Sequence, residues 1–220
     1  MTTPRTILEG DATPRTDGRV LHAHARYYDL VAWLLTRGRE GAFRDRLVAL
    51  ARLAPGEAVL DVGCGTGSLA LAARRRVGAT GTVHGIDPSP AMVARARRKA
   101  AAGTDVDFQT GVAEALPFSD ARFDAVLSTL MFHHLPGPTR RQSAREMRRV
   151  LTTGGRLLVV DFGAPARHGG GLLGHLHRHG HVSLPTIIET VREAGLHVIE
   201  SGPVGVADLQ FALAVAPERP

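Results

Sequence analysis

The chain has 220 residues, of which 44% are hydrophobic, and its 27 basic and 21 acidic side chains give a formal net charge of +6. This length predicts one domain with a substantial core, and the single cysteine excludes an intramolecular disulfide or a thiolate zinc cluster. No run approaches the ~20 apolar residues of a membrane-spanning helix, and the first twenty residues lack the apolar region of a secretory signal. We therefore expect a cytoplasmic protein without a membrane partner.

The positive charge is almost entirely arginine, because Lys99 is the only lysine. The arginines are scattered over several segments, including 74–76, 95–98 and 140–149. Such charge runs are typical of solvated helix faces. We expect no nucleic-acid partner, and we expect a monomer or a homodimer.

The first 53 residues are predicted to precede the main fold. Residues 1–19 are polar and contain prolines and glycines without an apolar period, which predicts a disordered tail. From residue 20 to residue 53 apolar residues recur at helical spacing, with a break near Gly38 and Gly41. This pattern predicts two helices that form an N-terminal helical lid, leaving residues 54–220 as the core of a single domain.

Strands and helices alternate through most of the core. Strands are predicted over 57–62, 82–86, 106–110, 123–129, 156–162, 197–201 and 209–215, and helices over 68–77, 90 to about 102, 139–151 and from Ser183 to Gly195. Alternation predicts a doubly wound parallel α/β sheet. Because the connection between the last two strands is too short for a crossover, the last strand is predicted to be antiparallel.

A glycine-rich turn, Asp61-Val62-Gly63-Cys64-Gly65-Thr66-Gly67, joins the first strand to the following helix. Such a turn lets the backbone approach a ligand closely and directs helix N-terminal N–H groups at it. Its spacing differs from the dinucleotide fingerprint, because Ser68 stands where that fingerprint has its third glycine. A nicotinamide oxidoreductase is therefore disfavoured, and the missing Gly-Lys-Ser/Thr ending excludes a P-loop.

Asp87 lies twenty residues beyond Gly67, at the end of the second predicted strand. A carboxylate there can accept hydrogen bonds from both hydroxyls of a ribose. The alternative is a turn-forming aspartate before Pro88. Both interpretations stay open from the residues alone.

With these motifs the chain resembles the class I S-adenosylmethionine-dependent methyltransferases, and among them the ubiquinone/menaquinone-biosynthesis-like group of small-molecule enzymes. The likeness covers about residues 55–163. It rests on 61–67, on Gly85-Ile86-Asp87 with Ser89 and Met92, on GVAEALPF at 111–118, on FDAVLSTLMFHH at 123–134, and on 149–155 with Asp161. The resemblance implies a Rossmann-like seven-stranded sheet, S-adenosyl-L-methionine as cofactor and a small-molecule methyl acceptor.

The resemblance also implies where the cofactor is held. The methionine part of the cofactor is assigned to Asp61 and to the loop residues Gly63, Cys64, Gly65 and Gly67. The ribose is assigned to Asp87 beside Pro88, and the adenine to Met92, Val112, Ala113 and Glu114. Thr129 belongs to the same site, and Tyr28 of the N-terminal helix closes over the cofactor. Position 112 usually carries Asp in this group. Valine cannot accept from the adenine amino group, so backbone, Glu114 or water must do so.

Histidines are the candidates for proton transfer. His133 and His134 follow the fourth strand, and either is a possible general base, although both can also be buried structural histidines. His175, His177, His179 and His181 alternate in a glycine-rich stretch, for which we predict a solvated loop and no metal. The alternative to a methyltransferase is a protein that binds S-adenosylmethionine for another reaction or for regulation.

Overall fold

The computed structural model describes residues 15–18, 38–100, 104–163 and 181–218, and these ranges hold five α-helices and seven strands. In chain order they are α1 Glu40–Leu50, β1 Ala58–Val62, α2 Ser68–Val77, β2 Thr82–Asp87, α3 Pro90–Ala100, β3 Asp107–Thr110, β4 Phe123–Thr129, α4 Gly137–Val150, β5 Leu151–Phe162, α5 Leu184–Glu193, β6 His197–Pro203 and β7 Leu209–Val215. A 3₁₀ turn at Phe132–His134 follows β4.

The strands form one sheet in the order β3-β2-β1-β4-β5-β7-β6. The pairs among β1 to β5 are parallel, whereas β7 runs antiparallel to both β5 and β6. This confirms the predicted Rossmann-like seven-stranded sheet with its last strand antiparallel. The strand order reverses between β1 and β4, and an open parallel sheet binds ligands at the carboxyl ends of its strands at such a point.

Helices cover both faces of the sheet, which explains why its central strands are nearly continuous apolar runs. On one face α1, α2 and α3 pack through residues such as Leu47, Leu69 and Val93. On the other face α4 and α5 pack through Met147 and Ile187. The sheet's two buried faces hold the carboxyl ends of β1, β2 and β4 in fixed positions.

The largest difference from the predicted elements is at β5, which begins at Leu151 rather than at residue 156. Residues 152–155 were left between a predicted helix and a predicted strand, yet this stretch belongs to the sheet. Leu151 pairs with Phe123 beside a register shift. The Gly154 amide donates to the Ala216 carbonyl, and the Gly155 carbonyl accepts from the Ala216 amide, both at 2.8 Å. A bulge therefore accommodates residues that sequence periodicity assigns to a loop.

The N-terminal predictions are only partly covered by the described residues. The second predicted helix is present as α1, whereas the first helix and Tyr28 lie outside the described ranges, as does the histidine stretch apart from His181. The lid and the boundary of the tail therefore stay predictions. None of the five helices in the described ranges combines the length and the apolar composition that a membrane-spanning helix requires.

Candidate active site

An open cleft lies at the carboxyl ends of β1, β2 and β4, where open parallel sheets bind ligands. The predicted site residues that line it are Gly63, Gly65, Asp87, Pro88, Met92, Val112, Ala113, Glu114, Thr129 and His134. Residues from four separate segments of the sequence thus meet in one cleft. Asp61, Cys64, Gly67 and His133 lie next to it without lining it.

The glycine loop between β1 and α2 adopts a conformation that favours glycine. Gly63, Gly65 and Gly67 have φ values of +74°, +54° and +79°, in the left-handed region that side chains with a Cβ rarely enter. The amides of Gly63 and Cys64 both donate to the carbonyl of Ile86, at 2.8 and 3.0 Å. These bonds fix the loop against the end of β2.

Two loop residues face the protein interior rather than the cleft. A Cβ at Gly67 would lie 2.7 Å from Phe108 Cζ and 2.9 Å from Ala96 Cβ, so this glycine permits close packing. The Cys64 thiol is also buried, and burial raises its pKa. Any contact of Cys64 or Gly67 with a ligand must therefore come from the backbone.

Asp87 holds two segments of the site together. Its Oδ2 accepts from the Gly65 amide and its Oδ1 accepts from the Ser89 amide, both at 2.9 Å. The two sequence interpretations are therefore not exclusive, because the carboxylate makes the turn beyond β2 and also borders the cleft.

Asp61 is a buried carboxylate at the end of β1, with 1% of its surface exposed. Within the described residues, neither of its oxygens accepts a hydrogen bond of ordinary geometry. Burial raises its pKa to about 7, although the charge of Arg44 and the nearby Ala70 amide lower it. Because buried polar groups normally have a partner, this carboxylate is suited to a donor-rich or cationic ligand.

The two candidate histidines have different environments. His134 borders the cleft, and its ring centroid lies 3.9 Å from that of His133. His133 is held behind it by Asp161, which bonds the Nδ1 atom at 2.6 Å and accepts from the backbone amide at 3.0 Å. Arg140 donates to the carbonyls of Phe132 and Leu135 and so fixes the turn that carries both histidines.

Several residues of this site were not among the sequence candidates. Asp161 appeared only as part of a motif, although an acid at the end of a buried strand is a signal that could have drawn attention to it. Leu130 lines the cleft with φ at +56°, a conformation without a sequence signature for leucine. Thr16 and Gly18 line it too, although they belong to the segment predicted as a tail. Met131 and Leu135 also line the cleft, and with Leu130 they form its apolar wall.

Comparisons with known proteins place the chain in a family. Residues 59–155 match the family described as "Methyltransferase domain". The demethylmenaquinone methyltransferase of Thermus thermophilus is 41% identical over 147 residues, 66% of either chain, and the ubiquinone/menaquinone biosynthesis C-methyltransferase UbiE of Laribacter hongkongensis is 34% identical over 159 residues, 72% of this chain and 64% of its own length. The chain thus spans less than two thirds of these relatives.

Solved structures show the same fold. A SAM-dependent methyltransferase from Aquifex aeolicus superimposes with a TM-score of 0.73 at 23% identity, covering 88% of this chain and 97% of that one. The cyclase SpnF superimposes with a TM-score of 0.64 at 24% identity, covering 80% and 82%.

The chain belongs to the class I S-adenosylmethionine-dependent methyltransferases. Among the relatives described above, its similarity is to the ubiquinone and menaquinone biosynthesis group.

Proposed function

We propose that the protein transfers a methyl group from S-adenosylmethionine to a small organic acceptor. The observation that carries this proposal is the shared cleft, in which the glycine loop held by Asp87 and the ring of His134 line the same space. The fold alone would not decide the reaction, because one fold hosts many chemistries.

The residues present fit the cofactor that this family uses. The left-handed glycines leave room for close approach, and Asp61 offers a buried acceptor without a hydrogen bond of ordinary geometry from the described residues. Asp87 borders the cleft, where its carboxylate would accept from the ribose hydroxyls. When bound, the cofactor supplies a methyl group on a sulfonium sulfur, ready for in-line displacement. The protein's contribution is then to align the two partners and to exclude water.

We assign the proton-accepting role to His134 rather than to His133. His134 is the histidine that borders the cleft, whereas both the Nδ1 atom and the backbone amide of His133 are bonded to Asp161. The His133–Asp161 pair fixes the position of the turn, and the His133 ring packs against the His134 ring at a tilt of 46°. A ring nitrogen of His134 would accept the proton that the acceptor loses.

For the acceptor we propose an aromatic compound of the quinone type, because the matched relatives are named for ubiquinone and menaquinone synthesis. The apolar wall formed by Leu130, Met131 and Leu135 supports an apolar acceptor. A cytoplasmic location, a monomeric or homodimeric state and the absence of a nucleic-acid partner stay predictions.

The purified protein is expected to bind S-adenosylhomocysteine and not NAD or ATP in calorimetry. The loop lacks the glycine spacing of the dinucleotide fingerprint and of the P-loop, so its backbone does not offer the phosphate-binding site of either motif. Transfer of labelled methyl from S-adenosylmethionine to a demethylated menaquinol then tests the reaction. Binding without transfer to this or to other extracted metabolites would favour the alternative of a cofactor-binding protein with another role, and NAD binding alone would refute the proposal.

Asp87→Ala is expected to raise the dissociation constant for S-adenosylhomocysteine about ten- to few-hundredfold, since charge-assisted bonds to ribose are lost. It also loses the bonds to Gly65 and Ser89, so its melting temperature should fall. Asp87→Asn keeps one acceptor oxygen and should lose less affinity. Asp124→Ala is the matched control, because it removes a carboxylate that accepts from the Ala58 amide outside the cleft. Unchanged affinity in Asp87→Ala would remove the ribose contact.

A further inference from the structure

The connection between β3 and β4 forms one wall of the cleft although it contains no helix or strand. It spans residues 111–122, and residues 111–114 line the cleft. Two backbone hydrogen bonds lie within this connection, all of which the structure describes. Because buried backbone polar groups need partners, a segment with so few internal bonds has to be held by other parts of the protein.

An ion pair on α4 holds this connection from outside. The Glu146 carboxylate accepts from Nε and Nη2 of Arg149, at 2.8 and 2.7 Å. The same guanidinium donates to the carbonyls of Leu116 and Phe118, at 2.9 and 2.7 Å, and to the Asp120 carboxylate at 2.9 Å. These five bonds give an acceptor to each of the five N–H donors that an arginine side chain carries.

Glu146 bonds the connection directly as well. Its Oε2 atom accepts from the Leu116 amide at 2.9 Å, so the ion pair binds both backbone polar groups of this buried residue. The hydrogen bond from Arg149 lowers the pKa of Glu146, which keeps the carboxylate ionised at neutral pH. A guanidinium that bonds a carboxylate at two points is also fixed in orientation. The connection is therefore held in place two residues beyond Glu114, which lines the cleft.

We propose that Glu146 and Arg149 are positioning residues for the nucleobase of S-adenosylmethionine, because they hold the wall formed by residues 111–114 in its binding shape before the cofactor arrives. This inference rests on the proposed function and on the assignment of the adenine to this wall. Neither residue is among those that line the cleft, so the pair acts through the wall and not by contact with the ligand. A preformed wall reduces the loss of entropy on binding.

An ion pair that only stabilises the fold leads to a different expectation. Its loss would weaken the binding of every ligand of the cleft by the same factor. Loss of a preformed wall would weaken only those ligands that carry a base. S-Adenosylhomocysteine and S-ribosylhomocysteine separate the two roles, because the second compound has a hydroxyl group in place of the adenine and keeps the ribose and the homocysteine.

Calorimetry on the intact protein measures the affinity for both ligands. Arg149→Met should bind S-adenosylhomocysteine about ten- to hundredfold more weakly than the wild type, while its affinity for S-ribosylhomocysteine changes less than about threefold. Arg149→Lys keeps the charge without the planar guanidinium, so it should recover only part of the loss. Arg156→Met is the matched control and should change neither affinity. Arg156 also donates to a carboxylate, that of Glu57, and to a backbone carbonyl, that of Ala51, and none of these residues lines the cleft.

Hydrogen exchange in the wild type tests the same proposal without a variant. The Leu116 amide, which donates to Glu146, should be protected before any ligand is added, and S-adenosylhomocysteine should increase that protection little. Protection that arises only with the ligand would overturn the proposal, because the wall would then form on binding.

The affinities of the variants give further outcomes that overturn the role of the pair. These are an unchanged affinity of Arg149→Met for S-adenosylhomocysteine, and a loss of the same size for both ligands. An equal loss in Arg156→Met would overturn it too, because a general loss of stability would then explain both variants. Failure of the wild type to bind S-adenosylhomocysteine at all would instead refute the proposed function.

Discussion

Asp61→Asn is expected to stabilise the ligand-free protein at pH 8 while weakening its affinity for S-adenosylhomocysteine. Burial raises the pKa of Asp61 from 3.8 to about 7. The folded state therefore holds this proton more tightly than the unfolded state does, so the free energy of unfolding decreases as the pH rises from about 4 to about 7. Above that range the full cost of a buried charge remains.

The size of this effect follows from the shift in pKa. At about 1.4 kcal/mol per pKa unit, the buried charge destabilises the folded wild type by roughly 4 kcal/mol at pH 8. The unsatisfied buried amide of the variant destabilises its folded state by about 1–3 kcal/mol. We expect a net gain of roughly 1–3 kcal/mol in Asp61→Asn at pH 8 and a smaller gain, or a loss, at pH 5.

Chemical denaturation of both proteins at the two pH values measures this difference, and calorimetry measures the accompanying loss of affinity. Asp124→Asn provides a control, because the Asp124 carboxylate accepts an ordinary backbone hydrogen bond from Ala58. Neutralising this carboxylate should lower the stability of the folded protein. A difference in stability between Asp61→Asn and the wild type that is the same at pH 5 and pH 8 would show that Asp61 does not carry a costly charge. A stabilised variant with full affinity would show that this charge serves no ligand.

Gly65→Val is expected to abolish binding of S-adenosylhomocysteine, with a rise in dissociation constant of more than about a hundredfold. Gly65 lines the cleft at a φ of +54°, so a β-branched side chain both strains the loop and occupies space that the ligand needs. The strain alone costs about 1–3 kcal/mol of stability. Calorimetry and thermal unfolding measure the two effects separately.

Gly195→Val is the matched control for this substitution. Gly195 also has a positive φ, at +82°, but it lies beyond α5, and a Cβ there would have no neighbour within 4 Å. Both variants should lose comparable stability, and only Gly65→Val should lose binding. If both variants bound the ligand normally, the glycine loop would be a turn without a role in cofactor binding.

The sheet was predictable because its central strands are buried on both faces. Continuous apolar runs such as β1 and β4 alternate with amphipathic helices, and this pattern has few solutions other than a doubly wound sheet. The antiparallel β7 followed from the short connection after β6. The early start of β5 was not predictable, because it depends on pairing with Phe123 and Ala216, which lie far from it in sequence.

The cleft residues that belong to short sequence motifs were predictable, whereas contacts between residues far apart in the sequence were not. The glycine loop and Asp87 are recognisable from their spacing. By contrast, the bond between His133 and Asp161 joins residues 28 positions apart, and the proximity of Arg44 to Asp61 depends on how α1 packs against the sheet. Neither has a local pattern. That Asp87 both holds the turn beyond β2 and borders the cleft was missed, because a turn residue and a cleft residue were treated as alternatives.

The position of β7 in the sheet has a consequence for how the chain acquires its structure. β7 is the last strand in sequence, yet it lies between β5 and β6. While the ribosome is still making residues 209–215, the edge of β5 is open and β6 has no strand to pair with. Exposed strand edges promote association with other chains. The sheet can therefore close only after β7 has been synthesised, later than the two strands between which it lies.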